Sequence, residues 1–233
     1  MINLWSLIGL LAAQMIAPVD TPNVAQDSLP PLTEEVISES PQARALADIQ
    51  TYLKNVKSLE ADFSQMAPNG TITQGTMYMQ RQGKIRFDYG KDANFLVVSD
   101  GKTLSMIDYE IGQVTKWPVK DTPLNVMLGD TMDFKGMRTR IVPTPDGQED
   151  TVALMAEDPK RPEMGVITVY FREMKDKKTK RNIGLMATHW VVLDAQGQVT
   201  RIALSNQQVN KKLDGTLWAY KDPRGGAKRR RLR

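Results

Sequence analysis

The apolar periodicity of this chain changes once, and that change limits what it can fold into. Between Ser40 and Lys57 the apolar residues Leu46, Ile49, Leu53 and Val56 recur at spacings of three, four and three, which places them on one helical face. Ser40 is in position to cap the helix, with Pro41 at its first turn. From Ser58 onward the period is two. Leu59, Ala61 and Phe63 alternate with polar residues, and strand patterns follow over residues 76–81, 85–89, 95–98, 151–156, 166–171, 188–193, 199–206 and 216–220. Asn69-Gly70, Gln82-Gly83, Asp100-Gly101, Asp146-Gly147 and Gln196-Gly197 supply the positive φ angles of tight hairpins, so neighbouring strands run antiparallel. A second, short helix is predicted over residues 121–129, where a capping residue precedes Pro123 and Gly129 ends the run.

At least nine strands and two or three helices are therefore expected. The fold class is mainly β with a helical lid (α+β): a strongly curved antiparallel sheet forming an open half-barrel covered by helices. Such a geometry encloses a cavity, and periodicity does not say whether side chains or a ligand fill it.

Charge divides the chain of 233 residues into regions that the overall +4 conceals. Residues 1–40 hold five acids and no Lys or Arg, whereas residues 221–233 hold seven bases against Asp222. Residues 2–17 form an uncharged apolar run, shorter than the about 20 residues a membrane span needs, and read as a signal peptide lacking the usual basic start. Residues 18–40, acidic and rich in proline, read as a linker. One domain is expected over 41–223, and 224–233 reads as a disordered basic tail. That tail is either a solvated end or a contact for a membrane or an anionic partner. Nucleic acid is not expected, since no aromatic residue follows Tyr220 and the body has no basic recognition helix.

The absence of cysteine removes thiol nucleophiles, thiolate metal sites and disulfides. His189 is the one histidine and lies inside a predicted strand, with no Ser and Asp arranged around it as a catalytic set. Asp108 and Glu110, and Asp130 and Asp133, fall in turns or helix ends where acids cap or are solvated. No phosphate loop or metal spacing is present, so the expectation is no enzyme, no cofactor and no metal.

The stretch from Gly75 to Tyr89 is more informative. Alternation puts Met77, Met79 and Arg81 on one face, and if the register carries through the turn, Ile85, Phe87 and Tyr89 join them. Pattern alone favours an edge position in which Arg81 points to water.

Several motifs in order then resemble the LolA family, periplasmic carriers of outer-membrane lipoproteins. They are Phe63-Ser64-Gln65, the alternation Gly75, Met77, Met79, Arg81, the run Ile85-Arg86-Phe87-Asp88-Tyr89, Val98 to Leu104, Gln113-Val114-Thr115, Thr122-Pro123-Leu124 and the closing Leu217-Trp218 to Pro223. The resemblance spans about residues 42–223. It implies an open β-barrel lidded by helices, with an apolar interior that shelters lipoprotein acyl chains between the inner and outer membranes.

On that resemblance Met77, Met79, Ile85 and Phe87 line the cavity, and Leu124 and Met127 pack down on it from the covering helix. Arg81 takes the place of the family's barrel arginine, which bonds the lid and holds the empty cavity closed. Gln82 stands where the family usually has proline. The implied partners are lipoprotein acyl chains, an inner-membrane ABC-type release complex and an outer-membrane receptor if one exists, with the carrier a monomer in the periplasm. A half-barrel sensor or scaffold for envelope-stress signalling, binding a lipid or lipoprotein without transport, is the alternative; a cytoplasmic lipid binder follows only if residues 2–17 are not a signal.

Overall fold

The computed structural model describes residues 40–81, 83–90, 93–122, 137–144 and 150–224. Among these residues the one long helix, α1 (Pro41–Asn55), starts where the sequence predicts: the Ser40 side chain accepts from the Ala43 amide at 3.1 Å, and Pro41 occupies the first turn, where a missing N–H costs nothing. Ile49 and Leu53 are its buried residues, and Lys54 lies in the last turn, beside the negative end of the helix dipole.

Eleven strands follow among the described residues. They are β1 (Ser58–Met66), β2 (Ile72–Gln80), β3 (Lys84–Asp88), β4 (Phe95–Asp100), β5 (Thr103–Asp108), β6 (Gln113–Pro118), β7 (Arg138–Val142), β8 (Thr151–Glu157), β9 (Val166–Lys175), β10 (Asn182–Leu193) and β11 (Val199–Val209). All belong to one antiparallel sheet in the order β6-β5-β4-β3-β2-β1-β11-β10-β9-β8-β7. Two meanders, β1 to β6 and β7 to β11, are thus zipped together by the β1 and β11 pairing. The sheet does not close, and its two edges, β6 and β7, are consecutive in the chain.

The sheet bends back on itself. Phe87 on β3 and Trp190 on β10 are four strand steps apart, roughly 19 Å across a flat sheet. Their rings are 6.3 Å apart between centroids. The face on the inside of this bend carries the main core, in which Phe63, Met77, Ile85, Phe87, Phe171 and Trp190 are all buried together with Ile49 and Leu53 of α1.

The outer face of β4 and β5 is covered too, which explains why residues 95–98 are an uninterrupted apolar run. Leu96, Val98 and Ile107 form a second small cluster there, packed against Tyr109, Val114 and Tyr220. The cover is the chain's C-terminal segment, and here the sequence-based expectation of a strand over 216–220 is corrected. Residues Gly215–Trp218 form a 3-10 turn, because the Asp214 carboxylate accepts from the Thr216 amide and hydroxyl, both at 2.8 Å, and winds the backbone. Arg86 Nη1 then donates to the carbonyls of Leu217 (3.2 Å) and Ala219 (3.4 Å), taking acceptors that a sheet ladder would use. The alternation of Leu217 and Ala219 with Trp218 and Tyr220 reflects a strap with one packed side.

Of the helix predicted over 121–129, the described part is a 3-10 turn, Val119–Asp121, followed by the extended and fully buried Thr122. Leu124 and Met127 lie outside the described residues, as do the expected signal, the linker up to Ser40 and the basic tail beyond Arg224.

Candidate ligand-binding site

The inward face of the bend holds a pocket of about 550 Å³, measured out to its opening. Its wall is built from both meanders and the helix. β1, β2 and β3 contribute Leu59, Met77, Met79 and Ile85; β8, β9 and β10 contribute Leu154, Val169, Phe171 and Ala187; Leu204 comes from β11, Tyr52 and Leu53 from α1, and Arg81 from the turn after β2. Of these only Arg81 carries a charge. The side chains crowd inward, and the enclosed part has little more room than a water needs.

The pairing of β2 with β3 places the residues the sequence singles out. Met79 lies opposite Ile85 and Met77 opposite Phe87, so the four share a face. Met77, Met79 and Ile85 reach the pocket wall. Phe87 sits deeper, edge-on to Phe63 at 5.2 Å and to Trp190, in an aromatic cluster that continues through Tyr89 to Phe95. The Tyr89 hydroxyl donates to Gln65 Oε1 at 3.1 Å, and burial pushes its phenol pKa up. This cluster belongs to the same core as the pocket wall, and none of its rings is part of the lining.

Close approach of β1, β2 and β3 beside that cluster depends on Gly75. A Cβ there would stand 2.0 Å from the Asp88 carbonyl oxygen and 2.9 Å from a Phe63 ring carbon. The turn from β2 to β3 is equally tight: Gly83 has φ +83°, and a Cβ would meet the Gly101 carbonyl at 2.5 Å. Gln82, where the family resemblance breaks, is outside the described residues.

Arg81 does not point freely into water. Its amide donates to the Lys57 carbonyl at 2.8 Å, and its Nε donates to the carbonyl of Val56, the C-cap residue of α1, at 3.0 Å. A guanidinium half-buried among apolar groups needs such acceptors, and the C-terminal end of a helix supplies both free carbonyls and a negative dipole end. Burial lowers the Arg81 pKa from its ordinary value, and the nearby Tyr52 phenol opposes that shift. Tyr52 is itself raised by burial, against the pull of a backbone hydrogen bond at Ala187 and of Arg81. Its ring meets Phe171 edge-on at 5.4 Å, so the helix touches the far meander through the pocket lining.

The junction of α1 and β1 has a second clamp that sequence reading missed. Asn210, held at φ 59°, donates to the Asn55 carbonyl (3.0 Å) and accepts from the Lys57 amide (2.7 Å). Away from the pocket lining, Arg161 ties the β8 to β9 loop to the start of the β6 to β7 connection, through Asp121 Oδ1 (2.5 Å) and the Lys120 carbonyl (3.1 Å). The far wall of Leu154, Val169, Phe171 and Ala187 was also missed, although its period-two pattern is plain in the sequence.

His189 lies away from this lining, its ring stacked on Tyr170 at 4.1 Å and its Nδ1 3.0 Å from the Thr188 hydroxyl. Among the described residues no group of three or more His, Asp and Glu side chains could hold a metal, and no helix is long and apolar enough to cross a membrane.

The chain is 26% identical over 193 residues to an outer-membrane lipoprotein carrier protein of Chromobacterium violaceum, with 79% of this chain and 86% of that one covered. It is 27% identical over 197 residues to the protein of the same description from Bordetella avium, covering 78% and 88%. A LolA superfamily protein from Nitrosomonas europaea, of solved structure, aligns over 78% of this chain and 99% of that one at 9% identity, with a TM-score of 0.43. The family model described as outer membrane lipoprotein carrier protein LolA matches residues 54–221, from the last turn of α1 to the C-terminal strap, and the chain therefore belongs to the LolA family.

Proposed function

We propose that this protein is a periplasmic, non-enzymatic carrier that shelters the acyl chains of lipoproteins in the pocket between the two meanders and α1, and shuttles them from the inner to the outer membrane. The observation that carries this reading is the pocket's lining: eleven uncharged residues, nearly all apolar, and one arginine whose Nε is bonded to the helix that covers it. The open sheet acts as a half-barrel and α1 as part of its lid. Met77, Met79, Ile85 and the residues beside them receive the chain, with Phe87 behind them.

Energetics explain why such a pocket would be closed when empty. Burying a methylene is worth about 0.8 kcal/mol, so a sixteen-carbon chain is worth on the order of 12 kcal/mol at most. A carrier that gained all of this could not let go. Closing the empty pocket subtracts from net affinity and keeps apolar surface out of water, so the Arg81 bond to Val56 acts as a latch that tunes binding and release. The donor is an inner-membrane ABC-type release complex, and the acceptor is an outer-membrane receptor where one exists.

The test is direct. Native mass spectrometry of the full chain recovered from periplasm should show lipoprotein adducts, and the loaded protein should pass them to outer-membrane vesicles. Ala187→Phe, which fills the pocket, should abolish binding of a fluorescent acyl probe while the protein stays folded by circular dichroism. A bound lipid or lipoprotein that is never transferred would identify a sensor or scaffold instead. A folded Ala187→Phe variant with unchanged probe affinity would remove the pocket from the mechanism.

A further inference from the structure

The β9 and β10 hairpin leaves the sheet before it ends. β8 pairs with β9 only as far as Arg172, and β11 pairs with β10 only from His189 to Leu193. One further backbone bond, from the Glu173 amide to the Asp150 carbonyl at 2.8 Å, ties β9 to the residue before β8; past it β9 and β10 pair only with each other, through Gly184 with Met174 and Asn182 with Lys175. A two-stranded ribbon therefore projects from the same strands whose Val169, Phe171 and Ala187 line the pocket.

The ribbon's composition is unlike the rest of the body. Residues 172–183 hold six cations, Arg172, Lys175, Lys177, Lys178, Lys180 and Arg181, against Glu173 and Asp176. Removing this segment leaves residues 41–220 net acidic. Both acids near the tip are engaged. The Asp176 carboxylate accepts from the amides of Lys178 (3.0 Å) and Thr179 (2.7 Å) and from the Thr179 hydroxyl, and Glu173 pairs with Lys175, which also contacts Asp150. The side chains of Lys177, Lys178, Lys180 and Arg181 are exposed and make no ion pair or hydrogen bond with any described residue. Flanking them are two exposed apolar side chains, Ile183 at 65% and Met174 at 37%.

We propose that this ribbon is a docking element for an anionic lipid bilayer. Four unpaired cations at an ordered tip, with apolar side chains just behind them, match a surface of negative headgroups over an apolar interior. The lysines favour headgroups over a single acidic protein site, since flexible point charges adapt to a fluid array, whereas a fixed carboxylate partner is better met by Arg forks. Phe171 precedes Lys178 by seven residues, so the pocket wall lies within about 24 Å of the tip. Docking by the ribbon would hold the pocket beside the membrane where cargo is received or delivered. The binding itself does not depend on what the pocket carries.

The experiment is sedimentation of the full chain with cargo-free vesicles of equal parts phosphatidylglycerol and phosphatidylcholine, against phosphatidylcholine alone. Binding should require phosphatidylglycerol and fall steeply with added salt. Each cation near such a surface is worth about fivefold in partitioning, so combined Lys177→Gln, Lys178→Gln, Lys180→Gln and Arg181→Gln should weaken binding at least tenfold. Ile183→Ser should weaken it less, and neither variant should alter acyl-probe affinity. A separate Arg229→Gln, Arg230→Gln, Arg231→Gln variant controls for the basic tail. No binding by the parent chain, ribbon variants that bind as the parent does, or loss confined to the tail variant would each overturn the proposal. Unchanged vesicle binding in a chain that fails to carry lipoprotein would leave the ribbon's role standing and remove only the carrier reading.

Discussion

Arg81 Nε donates to the Val56 carbonyl at 3.0 Å, joining the turn after β2 to the C-cap residue of the helix whose Tyr52 and Leu53 line the pocket. The two residues are 25 positions apart in the chain, and the Arg81 amide donates to the carbonyl of the next residue, Lys57, at 2.8 Å. The bond fixes the C-terminal end of α1 against the sheet.

Arg81→Leu should therefore loosen the roof without harming the pocket. A hydrogen bond from a charged donor contributes about 1.5–3 kcal/mol, and removing it from the closed state alone should tighten acyl-probe binding by roughly tenfold or more. Transfer of a purified lipoprotein to outer-membrane acceptor should slow in proportion. Unimpaired release by the variant would count against the latch. Arg81→Lys keeps the charge but not the fork, and an intermediate rate is expected.

Asn210→Ala should destabilise the same junction from the other side. It removes the bonds to Asn55 and Lys57 and places a side chain without Asn's tolerance at φ 59°. A loss of about 2 kcal/mol in urea unfolding is expected. Asn210→Gly should recover only the backbone part, and hydrogen exchange at Lys57 and Ser58 should rise in both variants.

How much of this was legible beforehand follows from the range of each signal. Local periodicity places α1 and most strands, because Ile49 and Leu53, or Met77 and Met79, declare their faces within a few residues. The pairing of Met79 with Ile85 is also local, since a short turn sets its register. The far wall is not local. Phe171 and Ala187 reach the pocket only because β1 pairs with β11 and the sheet bends, and neither event leaves a mark on the spacing within β9 or β10. Arg81 illustrates the same limit: its alternation alone favours solvent, and the acceptor that holds it, the Val56 carbonyl, sits at the end of a helix. Residues 216–220 failed for a further reason, since a strap packed on one side has the same alternation as a strand, and only the Asp214 cap distinguishes it.

Gly75→Ala tests the packing of the aromatic cluster. The added methyl would overlap the Asp88 carbonyl and crowd the Phe63 ring, and backbone at 2.0 Å cannot move aside without breaking the pairing of β2 with β3. Overpacking in a rigid position costs about 1–3 kcal/mol or more. The urea midpoint should fall accordingly, and the near-ultraviolet signal of the aromatic cluster should weaken.

His189 supplies a pH prediction with a definite sign. Burial holds its imidazole pKa below the ordinary value, and the guanidinium groups of Arg201 and Arg172 add to the depression. The ring stacks on Tyr170 and its Nδ1 faces the Thr188 hydroxyl, and no carboxylate among the described residues pairs with it. In the unfolded chain the same histidine titrates near 6.5. Below that value the unfolded state binds a proton that the folded state resists, so its contribution to stability is present above about pH 6.5 and is lost as pH falls through the depressed folded pKa. Because the chain has a single histidine, the effect can be isolated. The melting temperature should drop between neutral and mildly acidic pH, and His189→Gln should flatten that slope without changing acyl-probe binding at neutral pH. An equal slope in the variant would place the acid sensitivity elsewhere.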